Sequence, residues 1–430
     1  MTKSILSPFQ KFIKIESLSG ILLLGATIIA LIWANSPYAG NYEAIWNYEL
    51  GITTQSFEFT KPLILWINDG LMAVFFFLIG LEIKREVLIG ELNTAKKLAF
   101  PLFGALGGMI IPIALFFIIN QNPETQVGWG ISMATDIAFS LAVLNALGKR
   151  IPLSLKIFLT AFAIVDDLGA VMVIALFYSG AINMVLLAIA FGILGLLYVL
   201  AARQYFSKFV LLVAGIIVWF LFLKAGIHPT IAGILLAFSV PVRQKMVTDD
   251  FIKSLGTIYS DFKNARILKK PILSRQQLAQ LNNLDETTDQ FRSPLQSLEH
   301  DLHGWVAYCI IPIFALANAG ISINGLESLD MSLAVTIAVA LVLGKGIGVS
   351  GIVLLAQKLK WITIPNDIRK KQIIGVSFLA GIGFTMAIFI GNLAFSSSVY
   401  LNSAKMGILI GSFIAAIIGY VILRQTPKIH

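Results

Sequence analysis

The chain has 430 residues, of which 57% are hydrophobic and only 13% charged, and its mean hydropathy is +0.85. Soluble domains carry roughly 25% charged residues, so this composition excludes a water-soluble protein and makes the lipid bilayer the expected solvent. The net charge of +9 does not indicate a nucleic-acid partner, because the basic residues lie between apolar runs. The single cysteine, Cys309, lies within such a run and has no second thiol for a disulfide or metal site. No cofactor is expected.

Long apolar runs predict an all-α polytopic membrane protein that forms one membrane domain over residues 1–430. The first run, Leu18 to Ala34, is longer than the core of a signal peptide and is interpreted as a membrane helix. Twelve spans are predicted. They cover residues 17–35, 61–88, 97–120, 128–148, 151–178, 182–202, 207–224, 226–242, 302–322, 329–358, 368–396 and 404–423.

Lysine and arginine are distributed unevenly between the predicted loops. The termini and the even-numbered loops hold 28 of the 32 basic residues, whereas the odd-numbered loops hold three. Positive residues accumulate on the cytoplasmic side of the inner membrane, so both termini are predicted to be cytoplasmic. A missed span would have disturbed the alternation, which therefore supports an even number of spans.

Two predicted loops are unusual. Residues 36–60 face the periplasm, and the β-prone stretch from Gly51 to Phe59 could form one arm of a hairpin. Residues 243–301 form a long cytoplasmic loop with apolar patches such as Leu255 to Phe262. These patches favour short amphipathic helices on the membrane surface, and a flexible connector is an equal alternative.

Four charged residues fall near the middle of predicted spans. Asp136 lies in span 4, Asp166 and Asp167 lie in span 5, and Lys345 lies in span 10. A charge at the bilayer centre costs about 2.5–3.5 kcal/mol even on insertion scales, so each charge needs a partner or a role. Structural ion pairing would use one acid with Lys345 and leave two unexplained. We therefore expect a functional charged centre.

Adjacent helical residues project about 100° apart, so Asp166 and Asp167 cannot point the same way. One can face an aqueous cavity while the other reaches across to Lys345. Carboxylates suit small hard cations, and one carboxylate does not readily bind a cation and a proton together. Competition between the two ligands is then sufficient for exchange.

Two spans contain interruptions at mid-depth. Span 4 carries Thr135 and Asp136, a good N-cap pair, and span 11 carries Gly381 and Gly383. Spans 3–5 and 10–12 run in opposite senses, so the interruptions occupy corresponding positions in two inverted three-helix repeats. If the interrupted helices cross, Asp136 would offset two positive helix ends and Lys345 two negative ends.

Seven motifs resemble those of the bacterial NhaA sodium/proton antiporters, and the resemblance covers nearly the whole chain. This family is a standard example of inverted repeats with broken helices. The segment 243–301 is longer than the family pattern leads one to expect. The motifs are NDGLMAVFFF at 68–77, GLEIKRE at 80–86, ATDIAF at 134–139, IVDDLG at 164–169, ALANAG at 315–320, GK at 344–345 and GIGFT at 381–385.

The resemblance implies an antiporter that exports Na⁺ or Li⁺ for inward protons and serves pH and sodium homeostasis. Our mechanistic hypothesis is that two protons exchange for one sodium ion, which makes the exchange electrogenic. Asp167 would bind the ion, Asp166 would pair with Lys345 and release on protonation, and Asp69 would line a periplasmic funnel. The family forms homodimers through a periplasmic hairpin, for which residues 45–58 are the candidate. A cytoplasmic pH-responsive group is also implied. Its matching residues are Glu82, Arg85, Glu86, Glu299, His300 and His303.

Two other classes of function, a cation channel and an intramembrane protease, fit the sequence less well. A cation channel would favour an open polar path or a ring of acids from several subunits. An intramembrane aspartyl protease needs two aspartates on different helices, and the adjacent pair Asp166 and Asp167 does not fit. Peptide cleavage, conductance and proton-coupled exchange distinguish the three classes.

Overall fold

The structure is a computed structural model, and it describes residues 8–54, 58–90, 93–203, 205–244, 246–265, 272–322 and 329–427. Helices dominate the described part of the chain. In chain order the elements are α1 (Pro8–Ala34), α2 (Ala39–Trp46), β1 (Glu49–Thr53), β2 (Glu58–Pro62), α3 (Leu63–Leu88), α4 (Ala95–Ile119), a 3₁₀ segment (Gln126–Met133), α5 (Ile137–Ala146), α6 (Leu153–Phe177), α7 (Met184–Ala202), α8 (Lys208–Ala225), α9 (Pro229–Ser239), α10 (Thr248–Asn264), α11 (Arg275–Phe291), α12 (Pro294–Asn318), α13 (Met331–Lys358), α14 (Lys370–Leu379), α15 (Phe384–Ala394) and α16 (Ser398–Arg424).

Nine helices in the described ranges are long and apolar enough to cross a bilayer. Two more spans result if each bent pair counts as one: Leu18–Ala34 with α2, bent by 117°, and α14 with α15, bent by 43°. The predicted span 226–242 contains only α9, whose 11 residues reach about 16 Å, short of the ~30 Å hydrocarbon core. The described residues therefore contain nine to eleven candidate spans, and the prediction of a multi-span helical membrane protein is confirmed at that level.

The long helices pack into two units. One unit, here called the crossing unit, contains α4, the 3₁₀ segment, α5, α6, α13, α14, α15 and α16. The other, here called the flanking unit, contains α3, α7, α8, α9 and α12, with α9 packed closely along α3. Helix α1 contacts both units, through α5 and α12. The four charged residues predicted at mid-span, Asp136, Asp166, Asp167 and Lys345, lie in the crossing unit, on the side that faces the flanking unit.

Three of the long helices contain a single π-helical turn. These turns are Trp66–Leu71 in α3, Val306–Ile310 in α12 and Ala340–Gly344 in α13. Such turns are rare and often occur at functional sites. The turn in α13 ends immediately before Lys345, and the turn in α3 contains Asp69.

The predicted hairpin is present, but the stretch from Gly51 to Phe59 is not one arm: its first three residues lie in β1 and its last two in β2. β1 and β2 pair antiparallel with Glu49 opposite Pro62 and Thr53 opposite Glu58, so the second arm extends past the predicted limit of residue 58. The end of the bundle that carries these strands is called the hairpin end below. The opposite end carries α10 and α11 and is called the insert end.

The long segment 243–301 is largely helical. Phe251 near the start of α10 stacks on Phe291 at the end of α11, with ring centroids 4.0 Å apart, so the two helices run antiparallel. Ile252 and Tyr259 on α10 are exposed, which fits the predicted amphipathic character. The flexible-connector alternative does not apply to these two helices. Contact with a membrane surface stays a prediction.

Candidate functional site

Asp166 and Lys345 form a buried ion pair in the crossing unit. The Lys345 Nζ lies 2.6 Å from Asp166 Oδ2, and it also donates to Thr135 Oγ1 at 2.9 Å. The two side chains are 0% and 1% exposed, and the ammonium lies 5.6 Å from the centre of the Phe162 ring. The pairing expected from the charge inventory is therefore present, about 180 residues apart in sequence.

Asp167 takes the other direction and lines a small cavity between the two units. The cavity has a volume of about 40 Å³, enough for a small ion or a few water molecules. The divergence expected for adjacent helical residues is observed, because Asp166 binds Lys345 and Asp167 faces the cavity. The lining comprises Phe75, Leu78, Ile79, Glu82, Thr135, Asp136, Ile137, Ala138, Asp167, Val306, Ile311, Thr385 and Met386.

The two predicted helix interruptions are present and contact each other. The 3₁₀ segment ends at Met133 and α5 begins at Ile137, while α14 ends at Leu379 and α15 begins at Phe384. The Asp136 amide donates to the Ile382 carbonyl at 2.6 Å. Backbone groups that lose their helical partners at one break therefore find partners at the other.

A single carboxylate binds the amino-terminal ends of both broken helices. Asp136 Oδ1 accepts a hydrogen bond from the Phe139 amide of α5 at 2.9 Å. Its Oδ2 accepts from the amide and the hydroxyl of Thr385 in α15, at 3.1 and 2.6 Å. Helix amino termini carry partial positive charge, so the position favours an anion. Thr385 was not predicted as a site residue, although a threonine just after the glycine break is an available signal.

Thr135 and Lys345 act at the other ends of the breaks. The Thr135 hydroxyl donates to the Ala380 carbonyl at 2.9 Å, just past the carboxyl end of α14, while it accepts from Lys345. The Lys345 ammonium is therefore linked to the carboxyl end of α14 through the Thr135 hydroxyl and does not contact it directly. The two negative helix ends that Lys345 was expected to offset are thus reached, at this break, through a hydrogen-bonded neighbour.

The glycines of the second break allow close approach of backbones. A Cβ at Gly381 would lie 2.5 Å from the Leu341 carbonyl oxygen of α13. A Cβ at Gly383 would lie 3.1 Å from the Ala134 carbonyl oxygen at the first break. A larger residue at Gly383 would press the two interrupted segments apart, and one at Gly381 would push the second break away from α13.

Comparison with known proteins identifies the family. The model of the family described as Na⁺/H⁺ antiporter 1 matches residues 10–423. A protein from Oleidesulfovibrio alaskensis named Na⁺/H⁺ antiporter NhaA is 43% identical, over 98% of this chain and 94% of its own length. The chain belongs to the NhaA family of Na⁺/H⁺ antiporters.

Two further NhaA relatives show the same extent of similarity. One, from Parabacteroides distasonis, is 41% identical over 99% of this chain and 97% of its own length. Another, from Pseudomonas putida, is 43% identical over 98% of each chain. The resemblance read from the motifs is confirmed, and a protein of this transporter family is not an enzyme, which removes the protease alternative.

Five of the six residues matched to the NhaA pH-responsive group lie together near the insert end. Arg85 Nε binds both oxygens of Glu299 at 3.0 and 2.9 Å, and Arg85 Nη1 binds Glu86 Oε1 at 2.5 Å. His303 Nδ1 lies 3.7 Å from Glu82 Oε1, and Glu82 also lines the cavity that contains Asp167. These five residues are called the charged cluster below.

His300 and Asp69 are not part of the charged cluster. The His300 side chain is exposed, although the residue directly follows Glu299 on α12. Asp69 lies near the hairpin end, where its carboxylate binds Lys61 at 2.9 Å and its carbonyl accepts from Trp219 at 3.0 Å. Its place in a funnel stays a prediction.

Proposed function

We propose that this chain exports Na⁺ or Li⁺ from a bacterial cell in exchange for inward-moving protons, for pH and sodium homeostasis. The observation that carries the proposal is the division between two adjacent buried acids: Asp167 lines the cavity, while Asp166 is bonded to Lys345. A carboxylate in such a cavity is a hard oxygen ligand that accepts either the cation or a proton. Competition for Asp167 then couples the two fluxes.

The ion pair supplies the second proton site. When Asp166 accepts a proton, its attraction for Lys345 is lost and the pair can separate. When a sodium ion occupies Asp167, protons leave both carboxyl groups. Two protons would then move inward for each sodium ion, so each cycle would carry one net charge. A membrane potential supplies about 2.3 kcal/mol per charge per 100 mV, which would drive export.

The residues at the helix breaks hold this site open in the bilayer. Asp136 offsets the partial positive charge at the amino termini of α5 and α15. Thr135 links Lys345 to the Ala380 carbonyl by two hydrogen bonds. Gly383 lets the two breaks approach each other, and Gly381 lets the second break pack against the α13 backbone. These contacts support a role in charge compensation for the five residues Thr135, Asp136, Lys345, Gly381 and Gly383.

The Lys and Arg distribution supports twelve spans in the cytoplasmic membrane, with both termini and the insert end in the cytoplasm. Helix α9 would complete its span with the residues that flank it. The hairpin end is then periplasmic, where Asp69 would line the entrance funnel. The charged cluster would respond to cytoplasmic pH, since Glu82 connects it to the cavity.

A homodimer through the hairpin is part of the proposal. In the part of the chain that the structure describes, β1 and β2 form a two-stranded sheet, and all five residues of β1 are exposed. Free strand edges pair readily with the same element of a second copy. Cross-linking of an Ile52→Cys variant in the intact membrane would capture such a dimer. If the introduced cysteine reacted completely with the cross-linker and the protein still migrated as a monomer, the dimer would be contradicted.

The decisive experiment compares Asp167→Asn with Asp301→Asn in everted vesicles. Asp301 is 51% exposed, where it binds Lys208, so the same chemical change there tests for general damage. Sodium addition should dissipate the proton gradient in the wild type and in the Asp301 variant, and not in the Asp167 variant. Sodium-driven proton movement in a folded Asp167→Asn protein would contradict the proposal.

The same protein in proteoliposomes tests charge movement and the channel alternative. Exchange should accelerate when the potential is clamped negative inside the compartment that protons enter. Insensitivity to the potential would overturn the two-to-one stoichiometry. Sodium flux that requires no proton movement would favour a channel.

A further inference from the structure

Three carboxamides, two of them buried and the third partly buried, meet between the cavity and the hairpin end. Asn318, the last residue of α12, donates to Asn68 Oδ1 in α3 at 2.8 Å, and Asn68 donates back to Asn318 Oδ1 at 3.3 Å. Asn392 in α15 donates to the same Asn318 oxygen at 2.7 Å. Asn68 and Asn318 are 7% and 1% exposed. These three residues are called the amide cluster.

The amide cluster joins the two helical units. Asn68 and Asn318 belong to the flanking unit, whereas Asn392 belongs to the crossing unit, on the helix that begins at the second break. The bond between Asn392 and Asn318 therefore spans the boundary between the units. The pair Asn68 and Asn318 lies entirely within one unit, which provides an internal comparison.

An aromatic layer lies one helical turn closer to the cavity. Phe389 on α15 is fully buried, and its ring lies 5.5 Å from Phe76, 6.3 Å from Phe314 and 6.0 Å from His228, measured between centroids. All three neighbours belong to the flanking unit. The contact between α15 and the flanking unit thus consists of an apolar layer followed by hydrogen bonds nearer the hairpin end.

The cavity with Asp167 lies on the other side of this layer. Its lining includes Thr385 and Met386 at the start of α15, and Glu82 of the charged cluster towards the insert end. The path from Asp167 to the hairpin end along α15 runs through the contact between α15 and the flanking unit. An ion can take this path only when that contact separates.

We propose that the amide cluster is a latch between the two units: the Asn392–Asn318 hydrogen bond holds the hairpin-side route closed and breaks in every transport cycle. This inference rests on the proposed function, because only exchange with access from alternate sides requires the route to open. The latch favours the state seen here, since a buried amide that loses its partner without gaining water is unfavourable. When the units part, water at the opened route replaces the lost bond, so the latch is reversible.

Cross-linking tests whether the bond must break. A Cys309→Ser protein would carry either Asn318→Cys with Asn392→Cys, which links the two units, or Asn68→Cys with Asn318→Cys, which links two helices of one unit. Both variants lose amides of the cluster, and both would receive a short bifunctional thiol reagent that a reducing agent cleaves. Exchange should fall in proportion to linking for the first pair and recover on reduction, and it should persist for the second pair.

Transport by a fully linked Asn318–Asn392 protein would overturn the latch. In that case a parallel Asp167→Asn control that lacks exchange would show that the proposed function stands and only the latch fails. If Asp167→Asn also retained exchange, the proposed function itself would fail.

Kinetics on both sides of the membrane provide a second test that does not depend on cysteines. Asn392→Leu keeps the shape and removes the inter-unit bond, which shifts the balance of access states by about three- to tenfold towards the open hairpin side. The apparent KM for Na⁺ should rise in everted vesicles and fall in right-side-out vesicles, each by about two- to fivefold. A change in the same direction on both sides, or no change, would overturn the latch.

Discussion

The Lys345–Asp166 pair and the ion pairs of the charged cluster differ mainly in their exposure to solvent. The pair between Lys345 and Asp166 is 0% and 1% exposed, whereas the side chains of Arg85, Glu86 and Glu299 in the charged cluster are 14–29% exposed. Coulomb attraction is several-fold stronger when water is excluded, and so is the cost of leaving a charge alone. The buried pair should therefore be either formed or broken, with no intermediate state. The charged cluster should respond to pH in a graded way, and salt should weaken its ion pairs.

The largest expected effect tests the buried pair. Lys345→Met leaves Asp166 without its partner and should lower stability by about 3–5 kcal/mol, because an uncompensated buried charge is costly. The double variant Lys345→Met with Asp166→Asn should recover most of that loss, since no charge then stays unpaired. Thermal unfolding in detergent measures both. If the double variant were no more stable than the single one, the pair would not be the source of the loss.

The second effect concerns Asp136. Asp136→Ala removes the acceptor for the Phe139 amide and for both donors of Thr385, which are buried. Each unsatisfied buried donor costs about 1–3 kcal/mol, so the alanine variant should lose thermal stability and exchange together. Asp136→Asn keeps one acceptor oxygen, so its thermal stability should lie between those of the wild type and Asp136→Ala. Equal stability of Asp136→Ala and wild type would show that water replaces the carboxylate.

The contrast between these groups explains what sequence alone could predict. The breaks at Thr135 and Gly381 were predictable because capping residues and glycines act on their own backbone. The Lys345–Asp166 pair was predictable because a charge in lipid requires a partner and few candidates exist. The position of each charge along its span therefore carried most of the information about the site.

Two of the contacts that sequence did not predict are made by neutral donors. Thr385 and Asn392 find partners 249 and 74 residues away. Hydroxyls and carboxamides are tolerated in membrane helices with many partners, so the pattern does not select one. The 11-residue α9 illustrates a second limit: hydropathy over 226–242 marks an apolar run, but tertiary packing decides how much of it is helical.

A moderate effect is expected in the charged cluster. Arg85→Ala removes the cation between Glu299 and Glu86, and partly exposed pairs contribute about 0–1 kcal/mol. Neighbouring carboxylates should then be protonated more easily. The pH of half-maximal exchange should move towards alkaline values by up to about 0.7 pH unit. The shift should shrink in high salt, and maximal exchange should stay within a few-fold of wild type.

Loss of exchange at every pH in Arg85→Ala would break the comparison between the two groups. It would place Arg85 with Asp167 in the transport chemistry, although the side chain of Arg85 is 29% exposed. Arg85→Lys serves as the matched control, because it keeps the charge and loses the fixed arrangement in which Nε binds Glu299 and Nη1 binds Glu86. An intermediate pH shift for this variant would separate charge from geometry.

The smallest effect distinguishes two histidines on one helix. His303 is 8% exposed and lies 3.7 Å from Glu82, whereas His300 is exposed and is not part of the charged cluster. His303→Ala should move the pH profile by a few tenths of a pH unit, and His300→Ala should leave it unchanged, because water screens an exposed imidazole from the cavity. Parallel pH series in vesicles measure both. Equal shifts in the two variants would mean that burial does not determine which histidine affects the pH dependence of exchange. The graded pH response assigned to the charged cluster would then lose its physical basis.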